Sequence, residues 1–248
     1  MRYFVELSFR GVAYHGWQKQ ENAHSIQAEI EQALSTLLSR TIEITGAGRT
    51  DTGVHAHQMV FHFDFDQELE PTETCFRLNA ILPQDIALQR IRRVQDDMHA
   101  RFSAQSRSYQ YFIHQKKDPF LNGLSYFFRP ELDLELMNQG ARNLIGKKDF
   151  SCFSKSHTQT YTNDCEVTAA KWIQMSQSSI CFQITANRFL RTMARAIVGT
   201  LIDLGQGKRT PESIAELIST KDRSKAGFSV PAEGLFLHHI QYPEEGFI

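Results

Sequence analysis

Cysteine pairs are missing from this chain: Cys75, Cys152, Cys165 and Cys181 contain no CxxC spacing. Neither a disulfide framework nor a zinc knuckle is expected, and the four read as reduced packing residues. Also missing is any apolar run approaching the roughly 18 residues of a membrane span. The first nine residues alternate, with Tyr3, Val5, Leu7 and Phe9 set against Glu6 and Ser8. Such alternation marks a strand and not a secretory leader, so a cytoplasmic protein with no membrane attachment is expected. Net charge is close to nil at −1, which withholds the overall basic excess that usually accompanies nucleic-acid binding. No low-complexity linker interrupts the chain.

With 248 residues, 41% hydrophobic and 22% charged, the chain can build one large core or two modest ones. Its charge is unevenly spread. Asp64, Asp66, Glu68, Glu70 and Glu73 occur without a base, whereas Arg188, Arg191, Arg195, Lys208 and Arg209 face only Asp203, and Arg90, Arg92, Arg93, Arg101 and Arg107 make a second basic group. Segregation of this kind can give a neutral protein one basic face; scattered, solvated arginines are the plainer alternative.

Periodicity predicts strand 1–9, helix 25–38, strand 41–45, a Gly-rich loop, strand 57–65, helix 71–80 and strand 86–94. Ser25 can cap the first helix, and Ile26, Ile30, Ala33, Leu34, Leu37 and Leu38 recur along one of its faces. In strand 57–65, Met59, Phe61, Phe63 and Phe65 alternate with Val60, His62 and Asp64, so one face should be core. The second half predicts strand 107–114, helix 133–145 ending at Gly146, strands 165–174 and 179–186, helix 189–205, a short helix after Thr210-Pro211, and strand 234–241. The order β-α-β-β-α-β thus occurs twice. It implies an α+β protein of two ferredoxin-like halves, 1–104 and 105–248, with antiparallel sheets flanking a central cleft.

Between two of these strands lies Gly46-Ala47-Gly48-Arg49-Thr50-Asp51-Thr52-Gly53-Val54-His55-Ala56. Asp-Thr-Gly is good turn chemistry in its own right. A phosphate-cradling loop would need a Gly-Lys-Ser/Thr ending, which is absent. Asp-Thr-Gly also occurs at the active site of aspartic proteases, but a single copy would require a symmetric dimer to supply the second carboxylate. Asp51, His55 and His57 offer three metal-ligating side chains, and no fourth ligand accompanies them.

The run GRTDTGVHA closely resembles the active-site motif of the tRNA pseudouridine synthase A family. Four further segments carry the same resemblance in the same order: Tyr14-His15-Gly16-Trp17-Gln18-Lys19-Gln20; His99-Ala100-Arg101-Phe102-Ser103-Ala104 with Arg107-Ser108-Tyr109-Gln110-Tyr111; the stretch from Asn187 to Gly199; and Ala232-Glu233-Gly234-Leu235. Two places depart from the pattern. Phe9-Arg10-Gly11 stands where many members have an acid and a glycine, and no arginine follows a threonine near Asn163-Asp164.

The resemblance implies an isomerase acting on uridines 38, 39 and 40 in the anticodon stem-loop of tRNA, a homodimer with RNA in the basic cleft, and no cofactor or metal. Asp51 is implied as the catalytic carboxylate, acting as nucleophile or base, and Tyr109 as the residue stacking on the uracil. Arg195 is the single charged residue between Met193 and Ile202. A buried arginine needs a partner, and a carboxylate desolvated beside a flipped base needs a counter-charge. With the resemblance, these requirements point to an Asp51–Arg195 fork; an ion pair elsewhere or a side chain reaching water are the alternatives. Arg188 and Arg191, at i−7 and i−4 from Arg195, could extend a basic edge. Arg49 could fill the space that a flipped base vacates. Two other classes remain open: a catalytically silent RNA-binding module, and a dimeric aspartic protease.

Overall fold

The computed structural model describes residues 1–155 and 161–248. In chain order its elements are β1 (Arg2–Phe9), α1 (Ile26–Leu38), β2 (Thr45–Gly46), β3 (His55–Asp64), α2 (Pro71–Ile81), β4 (Ile86–Val94), β5 (Ser106–His114), β6 (Tyr126–Phe127), α3 (Leu134–Arg142), β7 (Gly146–Asp149), β8 (Asp164–Ser176), β9 (Ser179–Ala186), α4 (Met193–Gly205), α5 (Glu212–Thr220) and β10 (Leu235–Gln241). The fold is α+β, with mostly antiparallel pairing. Two compact units are present, Met1–Gln105 with Phe236–Ile248, and Ser106–Leu235. Residues 236–248, expected in the second half, therefore belong with the first unit, where β10 runs parallel to β3 and sets Phe236 opposite His55. No helix among the described residues is long and apolar enough to cross a membrane.

In the first unit β1 lies between β3 and β4, antiparallel to both, with Val5 opposite Phe61 on one side and Ile91 on the other. The short β2 adds to β3 through Thr45 and His62. Ser25 caps α1 by accepting from the Ala28 N–H at 3.3 Å, and Ile26, Ile30, Ala33 and Leu34 are buried, as the helical spacing requires. α1 packs on α2, which also covers β4. β3 differs from its expected pattern. Val60 and His62 are buried together with Met59, Phe61 and Phe63, so both faces of this strand are covered. His62 tolerates burial because its Nδ1 accepts from the Ala100 N–H at 3.1 Å and its ring stacks on Phe4. Burial and the charge of Arg2 push its pKa down to about 4, which keeps the ring neutral.

The second unit is an antiparallel sheet in the order β5-β9-β8-β7, with β6 added parallel to β5. β6 and β7 add to the expected strands; at two and four residues they are too short for alternation to register. Helix α4 starts at Met193 and not at 189, because Thr192 takes a left-handed conformation, φ 64°. Arg188 and Arg191 thus precede the helix, and the helical spacing expected to align them with Arg195 does not exist.

Both units protect an open strand side with a helical asparagine. Asn79 of α2 donates to the Leu88 carbonyl at 2.9 Å and accepts from its N–H at 2.8 Å on edge strand β4. Asn138 of α3 does the same for Trp172 of β8, beyond the reach of the short β7. A side-chain amide carries one donor and one acceptor in the geometry of a peptide, so it stands in for the missing strand.

The basic groups are partly neutralised. Arg90 and Arg92 both bond Glu6, at 2.7 and 2.9 Å, and Arg209 lies 3.5 Å from Asp203. Burial alone would raise the Glu6 pKa, but hydrogen bonds from Arg90 and Gln58 and the charges of both arginines outweigh it, leaving the carboxyl below its ordinary value. A lowered folded pKa stabilises the fold above the unfolded value, and this stability is lost as pH falls through the folded one. Glu6→Gln is therefore expected to cost about 1–3 kcal/mol at neutral pH in urea unfolding. The wild-type and variant stability curves should converge at acid pH.

Candidate active-site loop

Residues 47–54 connect β2 to β3. The loop is anchored at its start by the Ala47 N–H on the Val60 carbonyl, 2.8 Å. Gly46 lies under the Trp17 indole, where a Cβ would collide with the ring. The loop then closes a tight turn, with the Val54 N–H on the Asp51 carbonyl at 3.2 Å and Gly53 at φ 79°. Asp51 thus does sit in Asp-Thr-Gly turn geometry, as the residue types allow, and that turn leaves its side chain half-buried. Arg49 is exposed and makes no hydrogen bond or ion pair among the described residues.

One segment braces this turn on both sides of Asp51. The Trp17 N–H donates to the Thr50 carbonyl and the Tyr14 carbonyl accepts from the Gly53 N–H, each at 3.4 Å, while the Gly11 N–H donates to His55 Nδ1 at 3.1 Å. The approach is so close that a Cβ on Gly11 would meet the Val54 carbonyl, and one on Gly16 the Thr50 carbonyl. Gly16 also has φ 90°, which disfavours any other residue. Tyr14 is itself fixed, its hydroxyl on Asp85 at 2.6 Å and its ring 4.7 Å from that of His24. Burial first, and then the bond to Asp85, raise the Tyr14 pKa, so it donates at any working pH.

The possible metal set disperses. His55 is fully buried, with Nδ1 committed to Gly11 and its ring stacked on Phe236 at 4.5 Å. His57 is exposed and lies against His238, Nδ1 to Nδ1 3.4 Å. Among the described residues no three His, Cys, Asp or Glu side chains converge on a common point suited to a metal ion.

Tyr109 and Arg195 belong to the second unit. Tyr109 and Tyr111 share a face of β5, but they differ in role. The Tyr111 ring is buried against Gly234, and its hydroxyl bonds the Pro231 carbonyl at 2.8 Å. Desolvation raises its pKa strongly, so it is a neutral packing group. Tyr109 is half-buried, its ring edge-on to Phe189 at 4.8 Å. Arg195 stands in the first turn of α4, a helix otherwise buried except for Asp203. It is half-buried, and its Nε donates to the Val230 carbonyl at 2.6 Å. Residues 227–230 lie along α4 by contacts that only glycine permits: a Cβ on Gly199 would strike the Phe228 carbonyl, and the Gly227 N–H bonds Thr200 Oγ1 at 2.9 Å.

Arg49 and Asp51 therefore share one loop of the first unit, and Tyr109 and Arg195 are presented separately by the second. The bracing roles of Gly11, Tyr14, Gly16 and Trp17 have no counterpart in local sequence pattern, because they arise from the approach of a distant segment. The glycine inside α4 was a usable signal, because a mid-helix glycine costs about 1 kcal/mol against alanine and calls for a packing reason.

The fold is α+β, and its braced turn brings a half-buried carboxylate and an exposed arginine together on one loop. Comparison with known proteins specifies the family. A family model described as tRNA pseudouridine synthase matches residues 7–103 and 141–243. Similar curated proteins include the tRNA pseudouridine synthase A of Bacteroides thetaiotaomicron, 46% identical over 99% of this chain and 92% of its own length. That of Porphyromonas gingivalis is 45% identical over 100% and 99%, and that of Colwellia psychrerythraea 39% identical over 98% and 95%. The chain belongs to the tRNA pseudouridine synthase family, whose activity is an isomerisation.

The bracing contacts carry a direct expectation. Gly16→Ala places a methyl group against the Thr50 carbonyl on a backbone that resists it. Stability should fall by on the order of 1–3 kcal/mol in urea unfolding. Turnover should fall further than the unfolded fraction explains, assayed where the variant is fully folded.

Proposed function

We propose that this chain converts uridines 38, 39 and 40 in the anticodon stem-loop of tRNA to pseudouridine, with Asp51 as the reacting carboxylate. In this isomerisation the N1–C1′ bond breaks, the uracil turns, C5 bonds C1′, and the proton on C5 is given up while N1 gains one. Atoms and electrons balance within the nucleotide. A carboxylate at the C1′/C6 region, acting as nucleophile or base, supplies the chemistry. The carrying observation is Asp51 itself, half-buried on a turn braced on both sides by residues 11–17.

The other assignments follow from what each side chain offers. Tyr109, less buried than Tyr111, stacks on the uracil. Arg49, exposed beside Asp51, fills the gap left by the flipped base. Arg195 supplies the counter-charge of Asp51; its position on an almost wholly buried helix supports that role. The halves are read as ferredoxin-like units: in the first, β4-β1-β3 with β2 beside β3, together with α1 and α2, agrees with that order. The same proposal has the enzyme act in the cytoplasm as a homodimer, with tRNA in a basic cleft flanked by the halves.

Asp51→Asn is nearly isosteric but is neither nucleophile nor base. It should abolish tritium release from C5-labelled uridine in tRNA under single-turnover conditions, with tRNA affinity changed little. Measurable release would overturn the assignment.

The proposed fork is tested by a double-mutant cycle. Breaking a buried ion pair from one side costs on the order of 3–5 kcal/mol, less for a half-buried pair, whereas removing both charges can be nearly neutral. Arg195→Met with Asp51→Asn should therefore be more stable than Arg195→Met alone in urea at neutral pH. Additive losses would assign Arg195 a different partner.

A further inference from the structure

We infer that His55 is a positioning residue: a neutral imidazole whose Nδ1 latches Gly11, and through it residues 11–17, against the turn that carries Asp51. This deepens the proposed function and rests on Asp51 being the reacting group. A backbone N–H can only donate, so the bond from Gly11 to His55 Nδ1 at 3.1 Å requires a lone pair on that nitrogen. The imidazole therefore carries its proton on Nε2, and the doubly protonated ring cannot make this bond. Full burial and the Phe236 ring 4.5 Å away hold the plane of the imidazole in place.

Three of the bonds that tie residues 11–17 to the turn are unequal. The two backbone bonds, at 3.4 Å each, are near the limit of useful hydrogen-bond length. Of these three, the His55 bond is the shortest, and it is made by a side chain. It also acts where β3 begins, one residue past the turn, so it sets where the turn meets the sheet. Loss of this latch removes the shortest of these three ties from the turn that carries the carboxylate. A misplacement of about 1 Å at a reacting group can cost on the order of a hundredfold in rate.

His55→Leu removes the acceptor and keeps an apolar volume. His55→Asn keeps an acceptor, because its Oδ1 takes the place of Nδ1. With each variant shown to be folded by circular dichroism and urea unfolding, kcat of His55→Leu on tRNA should fall roughly ten- to a hundredfold, while KM changes less than about threefold. His55→Asn should recover most of the loss. In the wild-type protein, long-range ¹⁵N–¹H spectra of the histidine rings should show His55 unprotonated at Nδ1 and protonated at Nε2. A folded His55→Leu with wild-type kcat, a change confined to KM, a folded Asn variant no better than Leu, or a protonated Nδ1 would each overturn the inference. Should His55→Leu fail to fold, kcat of His55→Asn near the wild-type value and the ring spectrum decide. Failure of the wild-type protein to form pseudouridine would overturn the proposed function instead, and the ring spectrum would still judge the latch.

Discussion

The close approach of residues 11–17 to the turn at 50–54 is the constraint on which the candidate site depends. A turn as tight as Asp51-Thr52-Gly53-Val54 has little packing of its own: it carries three side chains, of which Val54 is buried, Asp51 half-buried and Thr52 exposed. What holds it is main chain laid against main chain, at separations that exclude any Cβ on Gly11 or Gly16, together with the side-chain tie from His55. Preorganisation of this kind has catalytic value because the order is established on folding, before substrate arrives. It also explains why Tyr14, Asp85 and His24, none of them beside Asp51 in sequence, belong to the same arrangement.

The second unit reaches a similar end by a different route. Its apolar helix α4 anchors Arg195 by the first turn, and residues 227–230 lie against that helix through Gly199 and Gly227. The Val230 carbonyl then accepts a hydrogen bond from the arginine Nε, so main chain helps to set the guanidinium plane. In both units glycine allows one backbone to come near another, and that approach orients a charged side chain.

Charge shows why a count along the chain is a poor guide to a surface. Arg90 and Arg92 look like part of a five-arginine basic cluster, yet β1 brings Glu6 beside them and both pair with that one carboxylate. Arg188 and Arg191 look aligned with Arg195 until the left-handed Thr192 moves the start of the helix past them. Conversely Arg49, unremarkable in composition, remains exposed beside Asp51.

Local patterns in the sequence were enough to establish the α+β class, the capped helix α1, the strands β1, β3, β4, β5, β8 and β9, and the Gly-rich turn with Asp51, because periodicity and turn chemistry act over a few residues. The motif resemblance rested on five collinear segments, without a physical role for most of their residues. Tertiary structure decided the rest. It buried both faces of β3, moved residues 236–248 into the first unit through the β3–β10 pairing, separated the packing Tyr111 from the more open Tyr109, and committed His55 to Gly11. Each of these depends on which distant segment comes to lie alongside, and spacing along a single chain does not encode that.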